Sequence, residues 1–275
     1  MKNKKFYALS VVACFCAGIV FTGCNKDDDP VYSSITSINA KVENGTMYDF
    51  DKVKAVMYND HDEEEFVVAE GNYTNGGFLI NLPETVDQRY LSPMIEQDGE
   101  ELFPEWLTIS DPSVMGGGIS LEGYKSGSYQ GDFYYMNMTQ SESLTNYSLS
   151  MSEATFLYVD KNVTLKGSHT ETERIEGIQV PIKFSANAPL KKGWNILYLT
   201  VNMTIKISGT QISANGTTTI TTKNPGGLKW YYEDDMGDIF AISSVQKSNQ
   251  PEIAPIFGID AQKMISKYRI FSRTK

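Results

Sequence analysis

All three cysteines of this 275-residue chain, Cys14, Cys16 and Cys24, lie within its first 24 residues. The remainder therefore has no thiol for a disulfide, a zinc-cysteine site, an iron–sulfur cluster or a nucleophilic cysteine. Histidine is almost as scarce, with only His61 and His169. Neither sits in a His-Glu-x-x-His helix motif, and the chain has no Gly-x-Ser-x-Gly elbow and no phosphate-binding Gly-x-x-x-x-Gly-Lys-Ser/Thr loop. Long apolar runs are missing too. The longest, from Phe6 to Phe21, falls short of the roughly 20 apolar residues that a membrane span needs. Positive charge is in deficit: 24 Lys and Arg against 34 Asp and Glu give a formal −10. That balance excludes nucleic acid as an expected partner, because phosphate binding requires a basic surface. It also argues against electrostatic adhesion to an anionic membrane.

What is present begins with the amino end. Met1, Lys2, Asn3, Lys4 and Lys5 make a basic start, residues 6–21 are apolar, and Thr22 and Gly23 are small residues before Cys24. These are the proportions of a secretory signal. The cysteine directly after the small residue resembles the lipobox of bacterial lipoproteins, although Phe21 stands where such motifs favour an aliphatic residue. The resemblance implies a diacylglycerol on Cys24, which becomes the first residue after cleavage. Lys26, Asp27, Asp28 and Asp29 are similar to the export signal that carries Bacteroidota lipoproteins to the outer face of the outer membrane. A membrane partner reached through a lipid anchor is thus implied, each buried methylene contributing about 0.8 kcal/mol. Cleavage before Cys24 leaves 252 residues and removes three lysines, so 21 basic residues face 34 acidic ones, a formal −13.

Past residue 33 the dominant signal is β. Runs rich in Val, Ile, Thr, Tyr and Phe alternate with Gly, Asn, Asp and Pro clusters, and a sustained 3.6-residue period is nearly absent. A first set comprises 34–42, 53–58, 65–69 and 77–82. Asn59 to Glu64 reads as the polar loop of a hairpin, Asn75-Gly76-Gly77 as a tight turn, and Pro83 as a strand terminator. The rhythm of this stretch resembles the transthyretin-like or immunoglobulin-like small sandwiches of Bacteroidota lipoproteins. Residues 87–118, with Pro93, Pro104, Pro112 and Gly116-Gly117-Gly118, read as an irregular connector with a helical turn near 104–107. A second β region is expected over 119–136, 154–159, 163–166, 178–186, 195–208, 211–222 and 228–232. Strict alternation at 203–208 places Met203, Ile205 and Ile207 on one face. The last segment, 260–271, reads equally as a short helix or as an edge strand.

The expected fold is accordingly mainly β. Residues 1–23 are a lipoprotein signal and 24–33 an acidic lipidated tether. A small antiparallel β-sandwich occupies 34–86, reaching to about 110 on a longer reading, and 87–118 is the connector. A larger antiparallel sandwich or barrel-like domain occupies 119–275.

Chemistry has few candidates. His61 lies in the acidic run Asp60 to Glu65, and Glu233 to Asp238 is a second acidic cluster that Gly237 marks as a hairpin turn, with 239–242 as the returning strand. Calcium takes six or more converging oxygens. Neither run has the EF-hand pattern, and adjacent residues of an extended segment point to opposite faces, so no metal or other cofactor is expected, though calcium stays open at both. His169 lies in a polar loop or edge strand. Adjacent aromatics at Tyr134-Tyr135 and Trp230-Tyr231-Tyr232, with Trp106, offer Trp230, Tyr231, Tyr134 and Trp106 as a candidate ligand platform. The reading is of a non-catalytic, lipid-anchored surface lipoprotein whose β domains bind a protein or glycan, its oligomeric state undetermined. An adhesive or pilus-like subunit and a glycan hydrolase working with paired carboxylates are the alternatives.

Overall fold

The computed structural model describes residues 34–59, 64–94, 96–97, 100–101, 106–143, 145–175 and 178–235. All belong to one compact unit, Tyr32–Lys275. In chain order the strands are Ser37–Lys41 (β1), Lys52–Asn59 (β2), Glu64–Thr74 (β3), Gly77–Asn81 (β4), Ser92–Pro93 (β5), Glu96–Gln97 (β6), Glu100–Glu101 (β7) and Leu107–Ile109 (β8). They continue with Met115–Lys125 (β9), Ser128–Ser143 (β10), Asn146–Val159 (β11), Val163–Ile175 (β12), Ile178–Leu190 (β13), Gly193–Ser208 (β14), Gln211–Thr221 (β15) and Lys229–Tyr232 (β16). The protein is mainly β, as its alternating pattern implies. One sheet runs β1-β4-β3-β2-β9-β10-β11-β14-β15-β13-β12-β8, while β6 and β7 form a separate pair.

The turns that join the first strands follow directly from their residues. Asn75 and Gly76 both take positive φ, 53° and 75°, which is the conformation a two-residue hairpin needs to match strand twist. They join Thr74 to its partner Gly77. The β2–β3 hairpin also forms, from Lys52↔Asn72 to Asn59↔Glu64. Beyond it the chain returns through Gln88–Tyr90, a 3-10 turn that the Asp87 side chain caps at the backbone N–H of Arg89.

Hydrogen bonding then closes on itself. β2 pairs with β9, β9 with β10, and β10 with β16. β16 returns to the end of β1, where Val42 bridges Trp230 and the Glu43 N–H donates to the Trp230 carbonyl at 2.8 Å. Seven strands therefore form a circuit whose interior holds Ile38, Met57, Phe78, Leu121, Phe133 and Trp230. A register shift at Tyr129/Gly131 lets β10 leave β9 and run on beside β11. Bulges of this kind are how a strand changes sheets.

β11 and β14 serve two cores at once. Phe156, Tyr158 and Trp194 face the closed circuit, while Leu157, Val159 and Leu197 face a second core with Leu165, Ala188 and Leu190. Burial on both faces accounts for their near-continuous apolar runs, 154–159 and 194–199. Farther along the same strands Tyr147, Leu149, Met203 and Ile205 pack against Ile182 and Phe184. Met203 and Ile205 are buried and Ile207 half-buried, with Asn202 and Lys206 exposed on the other side, in keeping with the predicted alternation.

Three expectations need correction. Gly116, Gly117 and Gly118 do not break the chain but lie in β9, opposite Val159, Tyr158 and Leu157 of β11. Absence of side chains lets the two strands and Met57 approach: a Cβ on Gly117 would lie 2.7 Å from the Met57 sulfur. Leu107 opens strand β8 rather than ending a helical turn, and residues 102–105 lie outside the described residues. Glu233–Asp235 leave β16 in helical conformation, and the rest of the expected hairpin turn, 236–238, lies outside the described residues. The region 239–242 and the terminal segment 260–271 are outside the described residues.

Candidate functional site

Cys24 and the Lys26 to Asp29 run precede the described residues, as Asp60–Glu63 and Asp238 also fall outside them. Glu65 accepts a hydrogen bond from the Tyr58 hydroxyl at 2.7 Å. Among the described residues no group of three His, Cys, Asp or Glu is placed to hold a metal ion. His169 lies in β12 with its Nε2 4.0 Å from a Glu171 carboxylate oxygen, both side chains substantially exposed. β8 covers β12 only at residues 165–167, so His169 sits on an edge strand.

The four aromatics of the expected platform do not share a surface. Trp230 is 6 % exposed and stacks on Tyr135 (4.8 Å, 19°) and Phe156 (5.8 Å, 7°) inside the closed circuit. Strand alternation is the reason: Trp230 and Tyr232 turn inward, which turns Tyr231 the other way. Tyr231 lies opposite Tyr134, and both are half-buried against Met136, Met151 and Val201. Trp106 is elsewhere, 5.6 Å from the Phe184 ring. Burial raises the pKa of the Tyr231 phenol. Only Tyr134 and Tyr231 are brought together.

A buried carboxylate was not singled out by sequence. Glu122 is 1 % exposed and accepts hydrogen bonds from Tyr124 (2.8 Å) and Tyr58 (3.2 Å), while the Lys54 ammonium stands 3.7 Å above the Tyr124 ring. Its oxygens are occupied by phenols, so it serves as the centre of a packed polar cluster. Only the alternation of Leu121, Glu122 and Gly123 in a strand pattern could have pointed to it.

The surface that does assemble is polar. Opposite the buried face of Leu149, Met151, Val201 and Met203, strands β10, β11, β14, β15 and β13 carry hydroxyls and amides in rows set by register. One row, Asn137, Ser152, Thr200, Thr219 and Ser185, is half-buried, with Ser152 buried. The next reads Thr139, Ser150, Asn202, Thr217 and Lys183. Side chains bond across the strands: Ser152 with Thr200 (3.0 Å), Ser185 with Thr219 (3.3 Å), Ser141 with Ser148 (2.7 Å), and the Ser150 hydroxyl donating to the Asn202 amide oxygen (2.7 Å). Each hydroxyl offers one donor and two lone pairs, so a neighbouring pair still has acceptor capacity to turn outward. At the upper end of the face, Tyr135 and Tyr198 flank Ala154 in the next row. Tyr198 is buried, which raises its phenol pKa, with Tyr135 adding to the effect. Ser, Thr and Asn are also turn residues, and for that reason the sequence pattern hid this surface. No protein-family model, no curated protein and no solved structure matches this chain.

Proposed function

We propose that this chain is a non-catalytic lipoprotein, anchored through Cys24 in the outer membrane with its β body facing the cell exterior, and that the body binds a protein or glycan partner. The observation that carries the binding role is the solvent-facing Ser/Thr/Asn ladder across β10, β11, β14, β15 and β13. Such a face is rigid, because β11, β14, β15 and β13 are each paired along these rows on both sides, and it presents many hydrogen-bonding groups without having to order them first. The address rests on the lipobox-like residues around Cys24 and on the Lys26 to Asp29 run, which resemble those of Bacteroidota surface lipoproteins. We further infer that the small sandwich expected over 34–86 is completed by β9, β10 and β16.

Fractionation tests the reading. Wild-type chain should partition with outer membranes and be cleaved by protease added to intact cells; Cys24→Ser should leave the membrane pool or stay uncleaved. Replacing Asp27, Asp28 and Asp29 with Ala should retain the anchor yet protect the body from external protease. Membrane partition unchanged in Cys24→Ser would overturn the anchor.

A further inference from the structure

The outer face of the β10–β12 sheet sorts charge in a way the whole chain does not. Across β10, β11, β14, β15, β13 and β12, the residues pointing away from the buried face include Lys166, Arg174, Lys183 and Lys206 and not one Asp or Glu. The chain as a whole has 34 acidic residues against 24 basic ones. The acids of these strands lie on the opposite face: Glu153 of β11 is buried, and Glu171 and Glu173 of β12 stand in register with buried Ile182 and Val180.

All four cations are exposed. Among the described residues none of them has a carboxylate within ion-pair distance. Off this face Lys52, Arg89, Lys125, Lys161 and Lys229 each hold an Asp or Glu, while Lys41 bonds the Asn75 carbonyl and Lys54 covers the Tyr124 ring, so what sets this face apart is that its own strands turn no acid toward it. Four exposed cations on a face to which its own strands turn no carboxylate make that face complementary to a negative partner. The hydroxyl and amide rows between those cations are complementary to a ligand that both donates and accepts hydrogen bonds at many points.

We propose that this face binds an acidic polysaccharide, a polymer of sugars bearing carboxylates. Sugar hydroxyls bond to the Ser, Thr and Asn rows, and the carboxylates pair with Lys166, Arg174, Lys183 and Lys206. The cations are dispersed over the sheet rather than clustered, so charge attracts the polymer and the hydroxyl rows orient it. Arg174 can hold a carboxylate with two parallel N–H donors, whereas each lysine acts as a point charge.

This names the ligand class of the binding role proposed above and rests on that role, but its test does not depend on the anchor. The full chain carrying Cys24→Ser is titrated with polygalacturonate, with neutral dextran, and with phosphatidylcholine vesicles with and without phosphatidylglycerol. Polygalacturonate should bind, more weakly as salt rises, and dextran at least about tenfold more weakly. Replacing the four cations with Gln should weaken polygalacturonate binding by more than about tenfold, since each exposed pair accounts for roughly two- to fivefold. A control with the same charge change at Lys41, Lys52, Lys125 and Lys229 should leave binding within about twofold. Ser150→Ala with Thr217→Val, which alters no charge, should weaken it severalfold while the circular dichroism spectrum stays that of the parent. The proposal is overturned if polygalacturonate does not bind, if the control variant loses as much as the face variant, if removing the two hydroxyls has no effect, or if only phosphatidylglycerol vesicles are bound. Because the anchor is absent from the assay, failure here leaves the surface address standing, and failure of the address leaves this result standing.

Discussion

Asn195 shows how one polar residue decides a local geometry. It is 1 % exposed, and its Nδ2 donates to the carbonyls of Lys191 (2.7 Å) and Gly193 (2.8 Å) while its Oδ1 accepts from the Lys191 N–H at 2.9 Å. Those bonds close the tip between β13 and β14, two strands that are not neighbours because β15 lies between them. Asn195→Asp keeps the shape and removes both donated bonds, so it should cost about 1 to 3 kcal/mol, read as a lower urea midpoint with an unchanged slope. Tyrosines at the closed circuit make a second prediction. Burial holds the phenols of Tyr73 and Tyr232 up to about 12, with nearby carboxylates such as Asp235 and Asp234 adding to it, and Tyr48 is raised further by burial and its bond to Asp235. These folded values lie above the unfolded value of about 10. Their contribution to stability is therefore complete below about pH 10 and is lost as pH rises through about 12. Absorbance at 295 nm should show a set of tyrosines that ionise only together with alkaline unfolding. Phe substituted for Tyr73 and Tyr232 should reduce that late step, and an ordinary titration of every tyrosine near pH 10 would contradict it.

Strands and turns differed in how far they could be read before the structure. The Asn75-Gly76 hairpin and the 203–208 alternation were legible because they depend on local residue chemistry and on period two. The strand character of 137–153 was not, since its outward residues are Ser, Thr and Asn and only Met138, Tyr147, Leu149 and Met151 mark the inner face. The parallel β13–β15 pairing was out of reach for another reason: it joins segments separated by a whole strand, and nothing in either one specifies direction. The glycine triplet misled because glycine marks a turn and a close approach alike. These two uses respond differently to mutation. A Cβ on Gly116 would lie 2.9 Å from the Tyr158 carbonyl oxygen, whereas Gly127, at φ 81° in the β9–β10 turn, has no atom within 4 Å. Gly116→Ala should cost about 1 to 3 kcal/mol through displaced backbone. Gly127→Ala should cost about 1 kcal/mol, from positive φ alone. Urea unfolding should show Gly116→Ala losing more than Gly127→Ala, and equal losses would show that the close approach of β9 and β11 adds nothing to the cost.

Taken whole, the molecule is held by strands remote in sequence. Its largest core joins Ile38 and Phe78 to Leu121, Phe133, Phe156 and Trp194, and is completed by Trp230 from the last strand described. The Trp194 indole even donates to the Pro83 carbonyl at 2.9 Å, 111 residues away. With no cysteine beyond residue 24, burial carries the load that disulfides take in small secreted domains. Composition did indicate a β body, but which segments share a core could not be read from one sequence, because a closed circuit is a property of pairing. The consequence is testable by cutting. A fragment of residues 34–86 keeps β1 to β4 but loses β9 and β16, the neighbours of β2 and of Val42. At 53 residues without a staple it falls where a core is marginal at best, and here half of that core is missing. Expressed alone it should show the circular dichroism of an unfolded chain and no cooperative urea transition, whereas adding it to the complementary chain from 87 onward should restore β signal. A cooperative transition in the fragment by itself would mean that the amino-terminal strands are a domain in their own right, with β16 docking on afterwards.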